Sequence, residues 1–231
     1  KDTVRKHYTD EINIITNYSM LHDGFFEDDV YLSVSYDFEA REKSELVYKN
    51  MLMSPVPIAV LILATPEVIN KDVEEMVTML NMCSSVDSVE IKPYSINQAN
   101  AHNKEFEKFV IKWIEASTPK KFQFINEDNI QASLNKEYNA FSDNHIYITP
   151  NGKYGVLEFD KNDKEYFLEL DTWEDYIAWT NKEKESNVSE ICHSCEYFGT
   201  CLTEHYRYVK DLNNSCNGYK GLLDYYARME N

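Results

Sequence analysis

Glycine is scarce in this chain, with 6 in 231 residues, and nowhere do those few fall into a G-x-G-x-x-G or phosphate-loop pattern. Close backbone approach to a pyrophosphate needs that spacing, so a dinucleotide or nucleoside triphosphate site has no support. Basic residues are outnumbered too: 23 Lys and Arg stand against 40 Asp and Glu, a formal net charge of −17. Phosphate recognition needs basic patches, and this balance argues against a nucleic-acid partner. No apolar run approaches the ~20 residues that span a bilayer. Lipidation motifs, a signal-peptide pattern, internal repeats and low-complexity segments are also missing, so no membrane partner is expected. No Ser-His-Asp pattern or isolated carboxylate pair marks a hydrolytic site. What remains is a chain long enough for one large domain, or for one plus a smaller one.

Cysteine is rare as well, but four of the five crowd near the C-terminus: Cys192, Cys195, Cys201 and Cys216, spaced C-x2-C-x5-C-x14-C. A C-x2-C turn aims two thiolates at one centre, and the two later cysteines can complete a four-sulfur cage. Such a cage suits tetrahedral zinc or an iron–sulfur cluster. A pair of disulfides would need a secreted chain, and the odd cysteine count argues against that framework. Unpaired thiols without an export signal point to a reducing, cytoplasmic setting. A zinc ribbon pairs two C-x2-C knuckles, and only one occurs here. His193 and His205 lie near enough in sequence to bind metal or to hydrogen-bond a sulfur, although four thiolates already complete the usual site. Cys83, on the apolar face of a helical pattern, reads as a small buried hydrophobe.

From the N-terminus, Lys1–Tyr8 reads as the end of a helix. Apolar runs at Glu11–Thr16, Val30–Tyr36, Ile58–Ala64 and Val86–Pro93 read as strands, the third continuously apolar as in a strand covered on both faces. Helical periodicity fills Ala40–Met53, Asp72–Met82 (with Asn70 or Asp72 as cap) and Lys104–Glu115. The alternation predicts parallel βαβ units, with chemistry carried by the loops at the strand C-terminal ends. Around Pro119 the pattern changes to a short β-like run (Lys121–Ile125) and a polar helix, which places a domain boundary near Thr118 and gives domains 1–118 and 119–231. Ile146–Tyr154 carries an Asn-Gly hairpin signal. Asp171–Trp179 reads as a short helix and Leu222–Met229 as a closing one.

The cysteine segment resembles the end of the SPASM domain of radical S-adenosylmethionine peptide and protein maturases. That family's pattern is C-x2-C-x5-C-x3-C, a gap, and a final cysteine often set in S-C-x-G-[FY]. Cys192, Cys195 and Cys201 match its first three, and Ser215-Cys216-Asn217-Gly218-Tyr219 its last. His205 stands at the fourth, which in the family ligates a different cluster. The resemblance implies one auxiliary 4Fe–4S cluster on Cys192, Cys195, Cys201 and Cys216, with the other auxiliary cluster lost and Phe141 and Gly155-Val156-Leu157 in its former neighbourhood. It extends upstream: Thr16-Asn17-Tyr18 lies where such barrels carry T-N-G, and Ser33-Val34-Ser35-Tyr36-Asp37 resembles the strand-ending S-L-D-G. It therefore implies an α/β fold, a partial radical-SAM-type (β/α) barrel with parallel strands, followed by a small SPASM-like α+β domain. By the same resemblance Ser35, Asp37 and Asn17 meet S-adenosylmethionine. The implied activity is peptide or protein modification by 5′-deoxyadenosyl radical chemistry, with a peptide or protein substrate and an electron-donor protein as partners.

One departure bears on activity. The family's C-x3-C-x2-C, which holds its catalytic cluster, occurs nowhere in these 231 residues. Three explanations stand open: the sequence is a fragment, a second chain covers the open barrel edge, or the protein is a pseudo-radical-SAM relative. The last would be a non-catalytic, metal-stabilised module binding a peptide or partner, with zinc as the alternative metal. For Ser35 and Asp37 the plain alternative is a solvated, capped strand end.

Overall fold

The computed structural model describes residues 11–94, 99–141, 146–159, 165–185, 188–203, 206, 209 and 216–229. The expected helix tail at Lys1–Tyr8 lies outside them. Five strands form one sheet: β1 (Ile12–Thr16), β2 (Val30–Ser35), β3 (Ile58–Ala64), β4 (Val86–Pro93) and the short β5 (Gln123–Phe124). They lie side by side in sequence order, and every pairing is parallel. Register sorts their side chains onto two unlike faces. One face carries the rows Ile14–Leu32–Ile58–Val86 and Thr16–Val34–Val60–Val89–Phe124. Leu32, Val34, Ile58, Val60 and Val89 are all completely buried there.

That apolar face needs a cover, and the crossovers supply it. α1 (Ser44–Leu52), the short α2 (Pro66–Ile69), α3 (Val73–Met82) and α4 (Ala99–Glu115) connect successive strands. A right-handed crossover between neighbouring parallel strands, repeated in one direction, puts every helix on the same side. Trp113 of α4 accordingly stacks on Phe124 at 5.6 Å and meets Phe109 edge-on at 6.2 Å. Asp72 caps α3, accepting the Glu75 N–H at 3.1 Å, as its sequence position predicts. α1 starts at Ser44, later than the periodicity suggested. A 3-10 turn at Phe38–Ala40 and a left-handed Lys43 (φ 62°) precede it and break the helical path.

The opposite face is mixed, with Ser35–Leu61–Glu90 and Leu63–Lys92 beside a row of small residues. Its central row is Ser33–Ala59–Ser88, over which Tyr31 reaches from β2 to bring its hydroxyl within 3.2 Å of Ser88 Oγ. Ser33 Oγ donates to Asn13 Oδ1 at 3.0 Å. At the far edge Asn126 continues the two-residue β5: its amide accepts the Ile91 N–H at 2.7 Å and donates to the Ile91 carbonyl at 2.8 Å.

A second sheet is antiparallel, with β6 (Tyr147–Ile148), β7 (Tyr154–Phe159) and β8 (Glu165–Leu170) in that order. The hairpin forms where Asn151-Gly152 predicted it. Only Gly152 takes a positive φ, of 75°, because the loop from Thr149 to Lys153 is longer than a two-residue turn. α6 (Trp173–Glu185) covers this sheet, with Tyr154 against Trp173 and Tyr176 at 5.8 and 5.7 Å. Two compact units result: residues 1–94 with 108–128, and residues 95–107 with 129–231. The polar helix α5 (Ile125–Leu134), like α4, contributes residues to both. Among the described residues, no helix is long and apolar enough to cross a membrane.

Two measurements follow. Trp113→Ala removes a fully buried ring from the first unit, and urea denaturation should show a loss of about 3–5 kcal/mol. Glu74, in the first turn of α3, is held by Thr118 and Ser117. The Thr118 side chain leads, joined by the N–H groups of both residues and the Ser117 hydroxyl, and together they draw the carboxyl down to about 2 from 4.5. A depressed carboxyl stabilises the fold above its unfolded pKa and loses that contribution as pH falls through the folded one. The urea midpoints of wild type and Glu74→Gln should therefore differ at neutral pH and converge between 4.5 and about 2.

Candidate metal centre

The second unit gathers the four C-terminal cysteines. α7 (Glu190–His193) is a single turn carrying Cys192. The chain then folds back on itself, with the Cys195 N–H on the Cys192 carbonyl at 3.0 Å and the Phe198 N–H on the Cys195 carbonyl at 3.1 Å. Gly199, at φ 86°, makes the reversal that sends the chain back toward Cys201, a conformation in which any Cβ would crowd the following carbonyl. Cys216 returns immediately before α8 (Lys220–Met229). All four cysteines line one cavity of about 650 Å³, together with Tyr197, Phe198, Tyr206, Glu196, Lys220 and Asp224.

Every one of the five cysteines is a free thiol. Burial, and then the neighbouring Cys201, Cys216 and Cys195, push Cys192 up to about 12. Cys201 is raised by burial to about 11, against the pull of hydrogen bonds from the Thr203 and Tyr219 backbone N–H groups. Two amide donors aimed at one sulfur suit a thiolate or a metal-bound sulfur, since a neutral thiol is a weak acceptor. Among the described residues, no three His, Cys, Asp or Glu side chains are gathered closely enough to hold a single ion. The four thiols share the cavity wall without such a grouping.

Aromatic packing supports the loop from outside. The Tyr206 phenol oxygen accepts the Gly199 N–H at 2.8 Å and also the Cys201 N–H, and burial raises its pKa. Phe141 packs on Tyr206 at 5.2 Å and edge-on to Phe198 at 5.8 Å. Phe141 thus packs behind two of the aromatic residues that line the cavity. α8 is tied down where the Leu222 N–H donates to Glu107, a buried carboxyl whose pKa burial raises. Cys83 is buried elsewhere, in the first unit, with its sulfur toward the Met79 carbonyl at 3.9 Å. His193 is exposed beside Phe198 and does not line the cavity. His205 lies outside the described residues.

The other expected site residues stand at strand ends of the parallel sheet. Ser35 closes β2 on the sheet face opposite the apolar one, in register with Leu61. Asp37 is buried and engaged: Oδ1 accepts the Leu63 N–H at 2.8 Å, and Oδ2 pairs with Arg41 at 2.5 Å. Asn17 is exposed, and its Oδ1 accepts from the N–H and hydroxyl of Ser19. Tyr18 and Phe38, the residues following Asn17 and Asp37, both adopt positive φ, 52° and 53°, and are both fully buried. Tyr206, Tyr197 and Lys220 were not foreseen. Lys220 with Asp224 at i+4 on a helix offered a readable signal; the two tyrosines offered none. Comparison with family models, with curated proteins and with solved structures finds no match.

Tyr206→Phe should leave the Gly199 and Cys201 amides without their acceptor. Urea denaturation of the metal-free protein is expected to show a loss of about 1–3 kcal/mol, the cost of a buried donor left unpaired.

Proposed function

We propose that the chain is a radical S-adenosylmethionine/SPASM-type maturase, or the C-terminal part of one, modifying a peptide or protein substrate. One auxiliary 4Fe–4S cluster would be held by Cys192, Cys195, Cys201 and Cys216. The observation that carries this reading is the convergence of those four thiols, and no other cysteine, on one cavity. An all-sulfur donor set is the soft set that iron–sulfur clusters take. The N–H donors on Cys201 are what a bound sulfur needs from its surroundings. When bound, such a cluster supplies one-electron transfer or acts as a structural staple. The chain's own part is to hold the thiols, orient Cys201, and keep water off one wall with Phe198 and Tyr206.

The parallel sheet supports the same reading. Strands in sequence order with helices on one face would suit an arc of a (β/α) barrel, whose other face, carrying Ser33, Ala59 and Ser88, would look toward a substrate. Ser35 is the expected S-adenosylmethionine contact left on that face.

A second reading is favoured by the mouth of the arc. The glycines of T-N-G and S-L-D-G would fall at Tyr18 and Phe38, and here those left-handed positions carry buried aromatic side chains. Asp37 is already engaged by Leu63 and Arg41. These features suit a non-catalytic, metal-stabilised module that binds a peptide or partner. Calorimetry of the loaded chain with S-adenosylmethionine tests the first reading against the second: heat of binding supports the maturase and contradicts the module.

Anaerobic reconstitution with iron and sulfide tests the centre itself. Wild type and Cys83→Ser should turn brown and take up about four irons and four sulfides. Serine at Cys192, Cys195, Cys201 or Cys216 should lower uptake or bleach the colour. A colourless chain carrying one zinc would overturn the cluster.

A further inference from the structure

The cavity also holds a charge arrangement that ligation by four cysteines does not require. Among the described residues lining it, Lys220 is the one cation, set against the carboxylates of Glu196 and Asp224. Its ammonium pairs with Glu196 Oε1 at 2.7 Å and Asp224 Oδ1 at 3.2 Å, and stands 5.0 Å from the centre of the Tyr197 ring. Tyr197 donates to the same Asp224 oxygen at 2.9 Å. Lys220 is therefore held from three directions, and its charge stays beside the cavity instead of swinging out with its flexible stem. Lys136 braces the same turn, donating to the Glu196 carbonyl at 2.7 Å and lying 5.2 Å from the Tyr197 ring.

A cluster ringed by four thiolates is anionic and gains one more negative charge on reduction. A fixed cation nearby favours the reduced state and a fixed carboxylate disfavours it, each screened in part by the water that reaches it. We propose that Lys220 raises the reduction potential of the four-cysteine centre, with Glu196 opposing it, so that the pair sets how readily the centre accepts an electron. This rests on reading the cage as an iron–sulfur site. Ion pairing does not cancel the effect of either residue, because removing one still changes the local charge by its full amount. Lys220 has a two-fifths exposed side chain, and Glu196 is more exposed still, so neither substitution empties a core.

The test is a redox titration followed by electron paramagnetic resonance on anaerobically reconstituted chains: wild type, Lys220→Met, Lys220→Arg and Glu196→Gln. Iron and sulfide content should be equal in all of them. The Lys220→Met midpoint should move to lower potential, Glu196→Gln should move to higher potential, and Lys220→Arg should stay near wild type. A purely structural role would not give shifts of opposite sign. An unmoved midpoint in Lys220→Met, or shifts of one sign in both charge variants, overturns the proposal and leaves the cluster standing. If Lys220→Met fails to load, an unshifted Glu196→Gln overturns it equally. A wild-type chain that takes up no iron and sulfide overturns the cluster reading, and the tuning with it.

Discussion

Ionising cysteines that share a cavity sets thiolate against thiolate, so four of them can serve one centre only if something outside the sulfurs holds them. Here the restraint is backbone geometry. A one-turn helix carries Cys192, a left-handed Gly199 turns the chain toward Cys201, and amides of Thr203 and Tyr219 point at the Cys201 sulfur. Burial first, and then the repulsion that ionisation beside the other cysteines would meet, raise the pKa of Cys192. A bound cation or cluster would remove that repulsion and release the protons, which couples metal uptake to the order of this unit. The Phe141–Phe198–Tyr206 cluster and the Lys220–Glu196–Asp224 network then have a common role. Each packs against or ties the loop that carries Cys195 and Cys201.

The parallel sheet follows a different constraint. Its central strands bury one face under helices, while the other carries Asn13, Ser33, Ala59 and Ser88 beside Ile15, Leu61 and Leu63, with Tyr31 laid across the small residues. Its strand ends are less open than its face. Tyr18 and Phe38 fill the positions that a ligand-binding loop would give to glycine, at a backbone cost that only firm packing can offset. Asn50 supplies part of that packing by donating to the Tyr18 carbonyl at 2.8 Å.

Much of this architecture was legible because its signals are local. Ile58–Ala64 is a strand over the same residues that its apolar run marked, and Asp72 caps the helix it was expected to cap. The four cysteines were legible through spacing alone. Other features were hidden for physical reasons. β8 alternates Glu, aromatic and Leu residues and is specified mainly by its pairing with β7, a tertiary effect. α1 begins late because Lys43 takes a left-handed conformation that nothing in its side chain announces. Tyr206 acts through its hydroxyl on the amides of Gly199 and Cys201, several residues earlier in the chain, and no spacing rule encodes that.

Native mass spectrometry of the protein purified without oxygen tests most directly whether four cysteines hold one inorganic centre. The expected mass exceeds that of the bare chain by about four irons and four sulfides, and the excess disappears when Cys201 is replaced by serine. A mass equal to the bare chain, to the chain with one zinc, or to the chain less the hydrogens of two disulfides would contradict the account.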